Sequence, residues 1–214
     1  MDAQSLCISV APRLLVFLSR HRSESGTPTL SVHTPGNLGE AVLGGLPSTV
    51  SVSPASSMKE ALKSMKKRQE EMSLEYEVSY ECTHHGPSLA FATMFLELGS
   101  SPMQWGDSEA AEAVARGALA AVSRTKSYPA VLGIGGPHYN SKFTKVALNT
   151  ETAFGHIVPK YAVRTLDTEV LRQCIDRTVE PVTKVVLDWK GIKGDDKDRL
   201  LRLLRDIGTE TVKI

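Results

Sequence analysis

Three features of the sequence predict an α/β fold with a mainly parallel or mixed sheet flanked by helices. Short apolar runs recur, at residues 13–19 (RLLVFLS), 130–134 (AVLGI) and 184–188 (KVVLD). Segments of helical period stand between and after them, at 58–72, 109–123, 168–177 and 195–207. Gly and Pro punctuate many of the joints. Strands that alternate with helices favour parallel pairing, because a parallel return needs a long crossover and a helix supplies it.

The run at 13–19 is almost continuously apolar, which suits a strand buried on both faces. It leads into a polar, turn-prone stretch at 20–37. Residues 49–53 (TVSVS) alternate as a strand does. Ser56 and Ser57 are N-cap candidates for the helix at 58–72. Met58, Ala61, Leu62 and Met65 form its apolar stripe, and Lys59, Lys63, Lys66 and Lys67 crowd the rest. That basic surface reads first as a solvated face and only second as a platform for phosphate. Residues 74–82 and 91–98 read as strands. Asp107 or Ser108 is placed to cap the Ala-rich helix at 109–123, which Tyr128 and Pro129 then break. The strand at 130–134 follows, then a weaker strand at 152–158, the helix at 168–177 and the strand at 184–188. The amphipathic helix at 195–207 carries Leu200, Leu203 and Leu204, and a strand at 210–214 closes the chain.

At 214 residues the chain suits one domain spanning 1–214, able to bury roughly 70% of its unfolded surface. Lys and Arg number 25 against 24 Asp and Glu, a net charge of +1, so any nucleic acid must be met by a local patch. Cys7, Cys82 and Cys174 show no CxxC spacing and are odd in number. This points away from a disulfide framework and toward a reducing compartment. Neither a membrane span nor a signal peptide is evident, so the expectation is a cytosolic protein.

The chemistry is carried by six histidines: His21, His33, His84, His85, His138 and His156. All lie at strand ends or in loops of small residues, and none lies in a predicted helix. In parallel α/β sheets ligands bind beyond the carboxyl ends of the strands, so these loops are expected to converge. Imidazole serves as a general base near neutral pH and as a zinc ligand. A catalytic zinc keeps one position for water and lowers its pKa to about 7, which suits ester hydrolysis. Glu81 lies three residues before the adjacent pair His84 and His85 and is a candidate ligand, orienter or base. No diagnostic spacing such as HExxH is present. For any one histidine the bland alternative is a hydrogen-bonded loop residue. Gly133, Gly135 and Gly136 follow a strand and permit close approach of a phosphate or ribose, or simply form a tight turn. Trp189 and Lys190 are candidates for stacking and phosphate contact, or for closing a sheet edge. Lys160 and Tyr161 are candidates for phosphate contact or general acid.

Six strings, in order, resemble the archaeal and plant D-aminoacyl-tRNA deacylase family: SRHRSESGTPTLSVHTPGN (19–37), YECTHHGP (80–87), FLELGSSPMQW (95–105), LGIGGPHY (132–139), AFGHIVPKY (153–161) and LDWKG (187–191). The resemblance implies hydrolysis of the ester joining a D-amino acid to the 3′ end of tRNA, with aminoacylated tRNA as partner. It implies zinc dependence and a core likened to phosphorylase and peptidyl-tRNA hydrolase folds. All six histidines and Glu81 carry over. We expect catalytic parts for Glu81, His84, His85 and His156, and metal ligands among His21, His33, His84, His85 and His138. Substrate contacts are expected at Gly135, Gly136, Lys160, Tyr161, Trp189 and Lys190. Family members usually begin with a further strand and helix, which this sequence is expected to lack. Two other functions fit the same residues, a metal-dependent hydrolase or phosphorylase of a small metabolite and a non-enzymatic RNA-binding module.

Overall fold

The computed structural model describes residues 12–24 and 26–214. Its elements are β1 (Leu15–Arg20), β2 (Thr29–His33), β3 (Gly36–Asn37), β4 (Thr49–Val50), α1 (Ala55–Glu71), β5 (Glu77–Tyr80), β6 (Thr93–Gly99), α2 (Pro102–Trp105), α3 (Ser108–Ser123), β7 (Ala130–Ile134), α4 (Ser141–Asn149), β8 (Ala153–Val158), α5 (Thr168–Asp176), β9 (Val182–Leu187), α6 (Gly194–Ile207) and β10 (Thr211–Lys213). They build two four-stranded sheets and one short hairpin of β3 and β4. The first sheet is mixed, in the order β1-β6-β2-β5, with β1 parallel to β6, β6 antiparallel to β2 and β2 parallel to β5. The second, β10-β9-β7-β8, is parallel throughout.

Side-chain alternation along β7 divides the interior. Val131 joins a core with Leu30, Val32, Met58, Leu62, Met65 and Phe154, while Leu132 and Ile134 join another with Val170, Leu171, Val185, Leu187, Leu200 and Leu204. The stripe on α1 therefore packs against strands of both sheets.

Several expectations need correction. β1 pairs only with β6, and its Leu18 is 58% exposed, so the 13–19 run forms a half-exposed edge and not a strand buried on both faces. The stretch at 20–37 contains β2, every residue of which is buried. Its Leu30 and Val32 enter the first core and the intervening polar side chains face the site, so the alternation was in the sequence but with polar groups turned inward. Only Thr49 and Val50 of the 49–53 segment pair as a strand; Val52 and Ser53 bridge singly to Ala92 and Thr178. Ser56 and Ser57 do not cap α1, which begins after Pro54 with no side-chain cap. Their hydroxyls accept instead from the Tyr128 backbone N–H and the Arg124 Nε–H. Asp107 does cap α3, accepting from the N–H groups of Glu109 and Ala110. Helix α4 was not anticipated. Cys82 and Cys174 are free and buried, while Cys7 and the expected N-terminal difference lie outside the described residues.

Lys59 shows how the fold satisfies a buried cation. It is 1% exposed, and its Nζ donates to the carbonyls of Ala147, in the last turn of α4, and of Thr150 and Thr152 just beyond it, at 2.5, 2.5 and 2.9 Å. Lys59→Met keeps the stem but strands those acceptors. We expect a loss of about 2 kcal/mol and a Tm lower by roughly 4–8 °C in thermal unfolding. An unchanged Tm would mean that water takes over the three carbonyls.

Candidate active site

The strand ends of both sheets deliver the site. β2 ends on His33, the residues after β5 supply Glu81, His84 and His85, the turn after β7 supplies His138, and His21 follows β1. Three groups of side chains each bring their donor atoms within 4.8 Å of one another: His33, His84 and His85; Glu81, His84 and His138; and His21, Glu81 and Glu97. Shared members make them one continuous cluster.

Tautomers follow from the partners. The Nδ1–H of His84 donates to the Cys82 carbonyl at 2.8 Å, and that of His85 to the Gly86 carbonyl at 2.5 Å. A carbonyl only accepts, so both Nδ1 atoms carry the proton and both Nε2 atoms present a lone pair. His85 holds a φ of +41°, which few non-glycine residues adopt and which is typical of strained functional loops. His33 is buried, and neither of its ring nitrogens has a hydrogen-bond partner. An imidazole buried without a hydrogen bond is costly, so both nitrogens of His33 remain available to a ligand. Burial pushes the pKa of His84 down to about 2, with neighbouring His33 adding to the effect, and burial also lowers that of His33. Neutral imidazoles are the form that ligates metal.

Glu81 is 1% exposed. Its Oε1 accepts from the Ser31 hydroxyl and its Oε2 accepts from the Nε2–H of His138 at 2.9 Å. Burial alone would raise its pKa. The His138 hydrogen bond and the surrounding imidazoles outweigh that and hold the carboxyl well below the usual carboxylate range. With Nε2 committed to Glu81, the Nδ1 of His138 faces Tyr161, whose O–H donates to it at 3.2 Å. The result is a carboxylate, an imidazole and a hydroxyl in line at the mouth of the site, the arrangement by which an oriented histidine acts as base.

A second buried carboxylate, Glu97 on β6, escaped the sequence reading. Its Oε1 accepts from the Ser19 hydroxyl at 2.6 Å, and its Oε2 pairs with His21 Nδ1 at 3.1 Å and lies 3.8 Å from His33 Nε2. The hydrogen bond to Glu97 raises the pKa of His21 despite burial. The available signal was a charge inside an otherwise apolar run, FLELG. Ser31 was equally unmarked. Phe95 stacks on His33 at 5.1 Å between ring centres and fixes its plane.

Several candidates lie elsewhere. His156 is fully buried and hydrogen-bonded at both nitrogens: Nδ1 accepts from the Thr83 hydroxyl at 3.1 Å, and Nε2–H donates to the Arg177 carbonyl at 3.3 Å. Burial lowers its pKa to about 4. Both of its nitrogens are thus occupied, and it belongs to none of the three donor groups. Gly135 and Gly136, at φ +107° and +78°, are needed for close packing, since a Cβ there would stand 2.8 Å from the Asp188 carbonyl oxygen and from Asn140 Nδ2. Their N–H groups already donate to Val158 and Gly191, so they have no free donors for a phosphate. The Trp189 ring is covered by the ammonium groups of Lys197 and Lys213, at 4.6 and 3.7 Å from its centre, which opposes base stacking. Lys190 and Lys160 are exposed, and neither lines the cavity beside His84 and His85. Of the expected substrate contacts only Tyr161 reaches the cluster. It lines a cavity of about 260 Å³ with His84, His85, Asn37 and Leu38.

Comparison with known proteins agrees with this picture. A family model described as D-aminoacyl-tRNA deacylase matches residues 8–212. A protein of that name from Pyrococcus furiosus is 38% identical over 205 residues, covering 95% of this chain and 74% of the relative. Another from Korarchaeum cryptofilum is 39% identical over 202 residues, covering 94% of this chain and 72% of the relative. A crystal structure of a conserved protein of unknown function superposes with a TM-score of 0.89 at 31% identity, covering 98% of this chain and 74% of that one.

Proposed function

The chain belongs to the D-aminoacyl-tRNA deacylase family, and from that premise we propose how its residues hydrolyse the ester of D-aminoacyl-tRNA to free D-amino acid and tRNA. This displaces the small-metabolite and non-enzymatic alternatives. The observation that carries the mechanism is the Glu81–His138 pair beside three imidazoles with available nitrogens.

His138 is the general base. Its Nδ1 takes a proton from water as the water oxygen bonds to the ester carbonyl carbon, and the carbonyl electron pair moves onto oxygen. Glu81 holds the imidazole in the required tautomer and stabilises the imidazolium through the Nε2–H. When the tetrahedral adduct collapses, the bond from carbon to the ribose oxygen breaks and the proton on His138 passes to that oxygen. Water takes the place of the Tyr161 hydroxyl on His138 Nδ1, and the released hydroxyl, 60% exposed at the mouth, is then free to donate to the reacting atoms.

The donor set fits zinc: three imidazoles converge, and one of them, His33, makes no hydrogen bond through either nitrogen. His33, His84 and His85 would hold the ion, which when bound supplies Lewis-acid polarisation of the ester and of water. His21 and Glu97 then belong to the supporting shell, since each already binds the other. Aminoacylated tRNA is the substrate, and we place the protein in the cytosol, where tRNA is charged. No helix among the described residues is long and apolar enough to cross a membrane.

The decisive assay compares D- and L-tyrosyl-tRNA at equal concentrations with purified protein and added zinc. The D ester should be cleaved much faster. Equal rates, or no reaction with the D ester, would reject the reading.

A further inference from the structure

We propose that the groove between α1 and α4, floored by the β5 edge of the first sheet, grips the phosphate backbone of the acceptor stem of the substrate tRNA. The proposal rests on the deacylase reading above and adds to it the surface that the substrate body occupies. A net charge of +1 provides no long-range pull on a polyanion, so affinity must come from a local concentration of cations. The groove, of about 720 Å³, supplies one. Lys63, Lys66 and Lys67 line it from α1, and Lys145 faces them from α4.

The state of these lysines suits exchange with phosphate. On α1, Lys63 is held more firmly than the others, by Glu60 at 3.0 Å and by the Tyr128 hydroxyl at 3.1 Å, while Lys66 pairs with Glu70 and Lys67 with Glu71 one turn away, at 3.3 and 3.6 Å. Exposed pairs of this kind hold weakly and release readily to a denser anion. Lys145 has no carboxylate partner among the described residues. Glu70 and Glu77 also line the groove, so the cationic character is concentrated on its helical walls and not spread along the strand.

Continuity with the reaction centre singles out this surface. The floor residue Ser79 precedes Glu81 by two positions, about 7 Å along a strand. The wall residue Ser141 follows His138 by three. A strand of RNA lying in the groove is therefore led toward the Glu81–His138 pair. The aromatic and basic surface at Trp189, by contrast, already has its ring covered by its own lysines.

The test compares two esters, D-tyrosyl-tRNA and D-tyrosyl-adenosine, the latter lacking any stem. The triple variant K66Q/K67Q/K145Q should raise KM for the tRNA ester by at least about tenfold with little change in kcat. It should also flatten the dependence of log KM on log salt by about 2–3, as loss of three phosphate contacts requires. Its kcat/KM on D-tyrosyl-adenosine should equal that of the wild type. K145Q alone should shift KM in the same direction by less, and K197Q/K213Q should leave it unchanged. The proposal is overturned if the triple variant keeps a wild-type KM and salt slope, if both esters lose rate in parallel, or if K197Q/K213Q carries the effect. Failure of the deacylase reading itself would look different, because the wild type would then cleave neither ester.

Discussion

His84→Ala should lower turnover of D-aminoacyl-tRNA by at least about 10²–10⁴-fold, the usual worth of a positioned acid–base group, and by more if a metal is lost with it. Two of the three donor groups contain His84, and its ring lies 4.2 Å from His33 and 4.5 Å from His138, so no other imidazole connects the site as fully. Affinity for tRNA should be nearly unchanged, because the body of the substrate is held elsewhere. Thermal stability should also be little altered, because His84 is a partly exposed loop residue whose one strong bond is to a local carbonyl. His156→Ala should behave in the opposite way. It removes partners from Thr83 and the Arg177 carbonyl inside the fold, so Tm should fall while residual folded enzyme retains turnover. A folded His84→Ala protein with near-normal turnover would move the reaction centre away from this loop. A stable, inactive His156→Ala protein would return His156 to the chemistry.

Chelation should produce the other large effect. Stripping metal from the purified protein should reduce turnover to background, and about one equivalent of zinc should restore it, with elemental analysis tracking both states. The basis is the doubly unpartnered His33 between two histidines whose Nδ1 protons are fixed by backbone carbonyls. Such a set is costly in desolvation, and among the described residues no hydrogen bond to His33 offsets it. His33→Ala should accordingly weaken zinc binding measured directly, apart from any rate. Full turnover in metal-free protein would leave the Glu81–His138 pair to act unaided.

Much of this was legible beforehand. Runs such as 130–134 and the stripe on α1 depend on local period and apolar burial, which the chain order itself encodes. The ordered strings around the histidines carried the family, and hence the substrate, without coordinates. Partnership was not legible. Nothing in the neighbourhood of Glu97 says that it binds His21 and Ser19, 76 and 78 residues away in the chain. Nothing local separates His156, occupied at both nitrogens, from His33, occupied at neither. Likewise β2 looked like a turn because its polar residues point inward to a site rather than outward to water. By itself the sequence determined the alternation of strands and helices, the residue types available for hydrolysis and the family. Which of those residues meet was decided only when two sheets brought their strand ends together, because hydrogen bonding and burial are set by neighbours in space and not in sequence.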